Sequence, residues 1–407
     1  MSSLVILTDI LPSHTSEPGS PRLFALAREW AREFDLILVC IGKGKRDDDS
    51  RMHEEVSALF KDIVFLPEPP VTSFLGKIRH RVNNAPFFLQ RYRSPKYCES
   101  IQSEVEKVIK FYSAIHLHVN QVSNSQYIPD SLNPLKVTID VRDDPTLLYE
   151  REARLSKSWW RIMSLMNEAY SQGKYLKNIS AKGYKIIVVG FHDRDNLLQK
   201  WNIKTYLVPN GVDQEYYHHS ESSDKSLKPK KSSKAVFTGV MSYKPNVEAA
   251  IYFANQIFPS IKKQCPDLEF TVVGANPPQE VLELELRDGI KVTGTVPDVR
   301  PYLEDASVFV CPMLSGAGIK NKILAAMSTG VPVVSTSLGV AGVEAEKETH
   351  FILSDEPLKF AENVVNIVKH EEEYRKMTLN ALDLVREKYG WKRAASSISG
   401  FFGHQAS

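Results

Sequence analysis

Lys320 and Lys322 lie directly downstream of a glycine-containing run, Ser315-Gly316-Ala317-Gly318-Ile319. The apolar, strand-type segment Val308-Phe309-Val310-Cys311 precedes that run. Ile323, Leu324 and Met327 follow at helical spacing, and Gly330 and Pro332 mark the stop. A glycine loop between a strand and a helix turns backbone N–H groups and the helix dipole toward an anion, most often a phosphate. Two ammonium groups add positive charge at that end. The spacing is not that of a P-loop, because no glycine-lysine-serine/threonine follows at the required interval. An ordinary tight strand-to-helix turn uses the same residues, so on residue types alone the two readings stand level.

A second group of charged residues, Asp140, Arg142, Asp143 and Asp144, follows the strand-type run Val137-Thr138-Ile139. Open α/β sheets place function at the carboxyl ends of their strands, which makes this group a candidate for the reacting centre. Gly19 and Arg22 fall in the loop feeding the first helix, at the same end of the first strand. Arg22 is a candidate phosphate or acceptor contact, against the simpler role of a solvated helix start. His118 alternates with apolar residues and reads as a hydrogen-bonded strand histidine. In His192-Asp193-Arg194-Asp195, Asp193 is expected to cap the following helix rather than to hold a metal. Asp47-Asp48-Asp49 reads as a solvated loop.

The elements that must position these residues alternate strand and helix twice. Leu4-Val5-Ile6-Leu7, a Pro/Ser/Gly loop, a helix with Leu23, Leu26, Ala27 and Trp30 on one face, and Leu36-Ile37-Leu38-Val39 make a parallel βαβ unit. Residues 219–234, rich in Ser and Lys, form a linker. The alternation then restarts at Ala235-Val236-Phe237-Thr238-Gly239. The expected architecture is α/β, with two Rossmann-like domains facing each other across a cleft. Its parts are an N-terminal domain over 1–218, the linker, a second domain over 235–388, and a helical tail over 389–407 packing back on the first domain.

Composition narrows the classes. Apolar content of 43% and charged content of 25% are those of a globular protein, and a net charge of +2 gives no case for nucleic acid. The 4 cysteines are scattered without CxxC or Cys/His spacing, which argues against a disulfide framework or structural zinc and suits a reducing cytoplasm. The N-terminus lacks a basic n-region, and no apolar run reaches the ~18–20 residues that span a bilayer. Between Val71 and Cys98 there is no acidic residue, while Lys77, Arg79, Arg81, Arg91, Arg93 and Lys96 interleave with Phe74, Phe87, Phe88, Tyr92 and Tyr97. Residues 74–97 are therefore either a flap over a cleft or a peripheral contact with an anionic membrane.

Five pieces in order then resemble one family: VPNGVDQEYY (208–217), VFTGVMSYKPNVEA (236–249), FTVVGANPP (270–278), VTGTVPDVRPYLEDASVFVCP (292–312) and GAGIKNKILAAMSTGVPVVST (316–336). They are similar to the donor-binding half of family-4 (group 1) retaining glycosyltransferases of GT-B fold. In the first half, PGSPRLFALAREW resembles the family's N-terminal loop. The resemblance implies transfer of a sugar from a UDP- or GDP-sugar to a glycan, lipid-linked or small-molecule acceptor, with retention at the anomeric carbon and without a metal or other cofactor. It implies that the diphosphate sits against Gly239 and the loop Gly316, Ala317, Gly318 and Ile319, with Lys244, Lys320 or Lys322 offsetting leaving-group charge. The base falls near Gly274 and Gly294-Thr295-Val296. Asp140 or Arg142 falls near the reacting carbon, and Gly19 and Arg22 fall in the N-terminal loop. Ala317 and Ala325 stand where the family commonly has two glutamates, the second holding the donor ribose. Two alternatives follow from Ala325: a GT-B binding protein without turnover, and a GT-B nucleotide-sugar epimerase.

Overall fold

The computed structural model describes residues 1–13, 20–42, 56–71, 85–214, 216–217, 233–315 and 320–403. Gly19, Asp47-Asp48-Asp49, most of the 219–234 linker, residues 72–84 of the basic segment and the loop Gly316–Ile319 lie outside the described residues. The chain divides into two compact units. Unit 1 comprises Met1–Asn210 together with Trp391–Ser407, and unit 2 comprises Gly211–Gly390.

Unit 1 is built on β1 (Ser2–Thr8), β2 (Phe34–Ile41), β3 (Asp62–Leu66), β4 (His116–Asn120), β5 (Val137–Arg142), β6 (Lys185–Val188) and β7 (Tyr206–Leu207). They form one sheet in the order β3-β2-β1-β4-β5-β6-β7, and every pair is parallel. Strands of this kind are buried on both faces, and the alternation shows which residues go where. Leu4, Ile6, Leu36 and Leu38 pack with Trp30, Ala395 and Phe402 on one side, while Val5, Leu7, Ile37 and Val39 pack with Ile101, Val105 and Leu176 on the other. The helix Pro21–Trp30 begins with Ser20, whose hydroxyl accepts from the Leu23 amide at 3.4 Å, and carries proline in its first turn. The tail helix Trp391–Ser399 lies against it, fixed by the Trp30 indole donating to the Ala395 carbonyl at 3.1 Å.

Unit 2 repeats the scheme with β8 (Lys234–Thr238), β9 (Glu269–Val273), β10 (Ile290–Val292), β11 (Val308–Cys311), β12 (Val333–Ser335) and β13 (Ile352–Leu353). Its sheet order is β10-β9-β8-β11-β12-β13, again parallel throughout. In each unit the chain leaves its first strand outward on one side and resumes on the other. The order therefore reverses between β1 and β4 in unit 1 and between β8 and β11 in unit 2. Such reversal points open a crevice at the carboxyl ends of the strands, where open α/β sheets bind ligands.

Candidate functional site

In unit 2 the reversal point is framed by Gly239, just past β8, and Met313, just past β11. The parallel pairing continues beyond the strands, with the Gly239 amide donating to the Val273 carbonyl at 3.0 Å and the Met241 amide to the Ala275 carbonyl at 2.7 Å. Two glycines make this close approach possible. A Cβ on Gly274 would lie 1.8 Å from the Gly239 carbonyl oxygen, and a Cβ on Gly239 would lie 2.6 Å from Asn246 Nδ2 and 2.9 Å from Lys322 Nζ.

Lys322 enters this gap from the second residue of the helix Asn321–Ser328. Its ammonium donates to Asn246 Oδ1 at 2.6 Å, lies 3.9 Å from Met313 Sδ, and stands 4.2 Å from the centroid of the Phe237 ring. Asn246 is itself buried, and its Nδ2 donates to the Val240 carbonyl at 2.7 Å, so the amide can present only its oxygen to the lysine. Among the described residues no carboxylate lies within ion-pair distance of Lys322. An ammonium carries three donors, and here one oxygen meets them. Burial pushes its pKa down to about 8, and the nearby Lys320 charge adds to the depression. Lys320, the residue before the helix, is buried, while Lys322 is half-buried.

The other residues expected in this half fall around that centre at varying distance. Lys244 opens the helix Lys244–Tyr252, is largely exposed, and pairs with Glu248 at 3.6 Å. Glu248 in turn accepts from Ser315 Oγ at 2.6 Å, the last described residue before the glycine loop. Gly294 follows β10 with φ +67, a backbone that glycine adopts freely, and its carbonyl accepts from the Thr293 hydroxyl at 3.0 Å. Thr295 and Val296 continue this turn, and Val296 packs against the unit 2 core. Ala325 is buried on the core side of the lysine helix.

In unit 1 the reversal point is bridged by Asn120, whose Nδ2 donates to Thr8 Oγ1 at 3.0 Å. Arg22, Asp140 and Arg142 come together beside it. Arg22 is buried, with Nε donating to Asp140 Oδ2 at 2.7 Å, Nη1 to Asn210 Oδ1 at 3.0 Å and Nη2 to the Val208 carbonyl at 3.1 Å. Arg142 donates to Ser20 Oγ at 2.6 Å and Asn120 Oδ1 at 2.9 Å. Its backbone has φ +66, beside an irregularity in the β5–β6 register. A positive φ in a non-glycine residue is uncommon and marks a position held by its surroundings. Burial alone would raise the Asp140 carboxyl, but Arg22, His118 and Arg142 facing it hold it below the ordinary range. His118 is fully buried, accepts or shares a proton with Thr138 Oγ1 at 2.9 Å, and burial lowers its pKa to about 4.

One sequence expectation is corrected here. Asp193 does not cap its helix. The helix Phe191–Trp201 is preceded by Gly190, and Asp193 sits in its first turn with Oδ1 accepting from the Asp144 amide at 2.9 Å. The carboxylate folds back over Gly190, where a Cβ would lie 2.2 Å from Asp193 Oδ2. Asp144 takes the capping role instead, at the start of Pro145–Leu155. Asn246, the partner that orients Lys322, was not singled out from the sequence. Its signal was an asparagine in the first turn of the helix that follows Gly239.

Residues 232–370 match the family model described as glycosyl transferases group 1. This span, about a third of the chain, is similar to the group 1 glycosyltransferases. A protein of Klebsiella pneumoniae, described as an uncharacterized 44.6 kDa protein in the cps region, is 28% identical over 173 residues. That match covers 40% of this chain and 44% of the Klebsiella protein, less than half of either. Solved structures extend the likeness of fold beyond this span. A glycosyltransferase from Rickettsia africae has a TM-score of 0.68 at 12% identity, covering 98% of this chain and 97% of its own. Sucrose-phosphate synthase from Thermosynechococcus elongatus has 0.66 at 16%, covering 99% and 98%. HepE from Anabaena, solved with UDP and glucose, has 0.59 at 11%, covering 98% of each chain. The fold is thus α/β of the GT-B type, and the residues that match the family model lie inside unit 2.

Proposed function

We propose that the protein is a cytoplasmic glycosyltransferase that moves a sugar from a nucleotide-sugar to a glycan, lipid-linked or natural-product acceptor with retention at the anomeric carbon. The observation that carries this is the half-buried ammonium of Lys322 at the β8/β11 reversal point, oriented by Asn246 and left without a carboxylate partner among the described residues. A departing nucleoside diphosphate would supply the missing counter-charge. Fixed positive charge aimed where negative charge develops is worth ~10²–10³ in rate when a single such group is removed. Lys320 and the backbone of the Gly316–Ile319 loop would share that task, so no divalent metal is required. The pairing of HepE with UDP and glucose supports a uridine nucleotide as the first donor to test.

Asp140 and Arg142 would serve the acceptor side, through the strained Arg142 backbone and its neutral partners. Ala325 favours a second reading, a domain that binds the nucleotide without turning it over. Its methyl group is buried against the core and offers no acceptor to ribose hydroxyls, which elsewhere would gain roughly 1.5–3 kcal/mol from a charged partner. A thermal-shift panel of UDP-, GDP- and other nucleotide-sugars, followed by a transfer and hydrolysis assay with the stabilising donor, separates the two. Stabilisation with transfer supports the enzyme, stabilisation without transfer or hydrolysis supports the binding protein, and no stabilisation by any donor removes both.

A further inference from the structure

The helix Trp159–Ala181 of unit 1 is 23 residues long, but its buried residues begin only at Ala169. Its first ten residues include Trp159, Trp160, Ile162, Met163, Leu165 and Met166, and none of the ten is buried. Trp159 and Trp160 are 60% and 77% exposed, an unusual fate for the two largest apolar side chains, and their rings meet edge to face at 4.5 Å. Trp159, Met163, Met166 and Tyr170 recur at four, three and four residues, so they form one stripe along the helix, and all four are exposed. At about 1.5 Å per residue the stripe is ~16 Å long.

The charges around it select the partner. From Ala153 to Asn167 the chain carries Arg154, Lys157 and Arg161 and no acidic residue. Arg161 is paired with Glu152 just before this stretch, which leaves Arg154 and Lys157, among the described residues, as its uncompensated charges. Two copies of such a tip would oppose like charges, whereas an anionic surface complements them. The polar–aromatic edge of tryptophan favours the boundary between water and hydrocarbon. The basic, aromatic segment noted in the sequence reaches the same helix: the Phe87 amide donates to Glu168 Oε1 at 2.7 Å, and the Arg93 guanidinium stands 4.3 Å over the exposed Phe87 ring. Among the described residues no helix is long and apolar enough to cross a membrane. The feature suits a helix lying on a bilayer rather than through it.

We propose that Trp159, Trp160 and Met163 insert into the interface of a membrane bearing anionic lipid headgroups, with Arg154 and Lys157 meeting the headgroups. The contact is independent of sugar chemistry, so the test is run without donor. The full chain is sedimented with phosphatidylglycerol-containing vesicles and with pure phosphatidylcholine vesicles. Wild-type protein should sediment with the former, release as salt is raised, and show tryptophan quenching by brominated lipid. W160Q combined with Trp159→Gln should lower partition about ten-fold or more. Their side chains are exposed, so the fold should survive, which circular dichroism checks, and the quenching of the wild type stands whatever the variant does. Wild-type protein left in solution with anionic vesicles overturns the proposal. So does equal sedimentation of the variant, or a concentration-dependent dimer that the substitutions abolish.

Discussion

The two reversal points share one topology and differ in what fills them. In unit 1, Asn120 ties β4 to Thr8 of β1, and the Arg22 guanidinium gives its donors to Asp140, Asn210 and the Val208 carbonyl. In unit 2, the Lys322 ammonium stands in the corresponding gap with one oxygen partner, a sulfur and an aromatic face. The first arrangement spends its charge on the fold, holding the end of unit 1's chain to the sheet. The second keeps a charge fixed in place and unspent. A buried arginine paired to a carboxylate mainly creates a requirement for its partner, whereas a lysine oriented by a neutral amide retains its attraction for an anion.

Breaking each arrangement should therefore have different consequences. The largest effect is expected in unit 1. Arg22→Met leaves the buried Asp140 carboxylate without its strongest partner and should cost about 3–5 kcal/mol of stability. The double change R22M with Asp140→Leu should cost less, because the buried carboxylate is gone and Arg142 keeps its hydrogen bonds to Ser20 and Asn120. All 5 tryptophans belong to unit 1, so their fluorescence in a urea titration reports this unit alone. Equal losses in the single and double variants would remove the ion-pair explanation.

In unit 2, Lys322→Met should leave thermal stability unchanged or raise it, because burial penalises the ammonium in the fold. It should lower the transfer rate by ~10²–10³-fold in initial-rate assays with a saturating donor. A rate within a few-fold of wild type would show that the lysine is only a packing residue. A smaller effect concerns pH. With the Lys322 pKa lowered to about 8, the ammonium that attracts the diphosphate is lost as pH rises through that value. Affinity for UDP should weaken above it by up to about ten-fold per pH unit, and the K322M variant should show no such limb.

The smallest expected effect returns to unit 1. His118 takes up a proton at about 4 when folded, against an ordinary 6.5 when unfolded. As pH falls through that window the unfolded chain binds the extra proton, so stability decreases by about 1.4 kcal/mol per pH unit for each such group. His116, lowered to about 2 by burial, acts in the same direction. Asp193, raised to about 6 by burial, opposes them below that pH, since the folded state then holds the extra proton. The histidines outweigh it. His118→Leu should remove about one proton from the slope of unit 1 stability against pH between 4 and 6.5, and an unchanged slope would contradict the burial of a neutral imidazole.

The double α/β alternation was legible because both sheets are parallel and buried on both faces, which leaves continuous apolar runs such as Leu4-Val5-Ile6-Leu7. The helix after β8 was less so. Its apolar spacing reads as one helix from Val247 to Ile261, yet a π-helical turn at Phe253–Ile257 separates Lys244–Tyr252 from Phe258–Gln264. Pro259 accounts for it, since a proline lacks the N–H that a regular helix needs there and crowds the preceding turn. Lys322 could be placed from its distance to the glycine loop. Asn246 could be placed in the first turn of its helix, but not as the partner of Lys322, because that contact joins residues 76 apart in the chain. Asp193 was misplaced for a similar reason. A carboxylate near a helix start usually serves its own helix, whereas this one accepts from the Asp144 amide on another element.

The difference between the two reversal points is tested most directly by calorimetric titration of UDP and GDP into the wild-type protein and into K322M. The expected result is measurable binding of one nucleotide to the wild type, weakened ten-fold or more by the substitution, with the Arg22–Asp140 network intact in both. Equal affinity in the two proteins, or no binding of either nucleotide to the wild type, would contradict the assignment of Lys322 as the seat of the diphosphate.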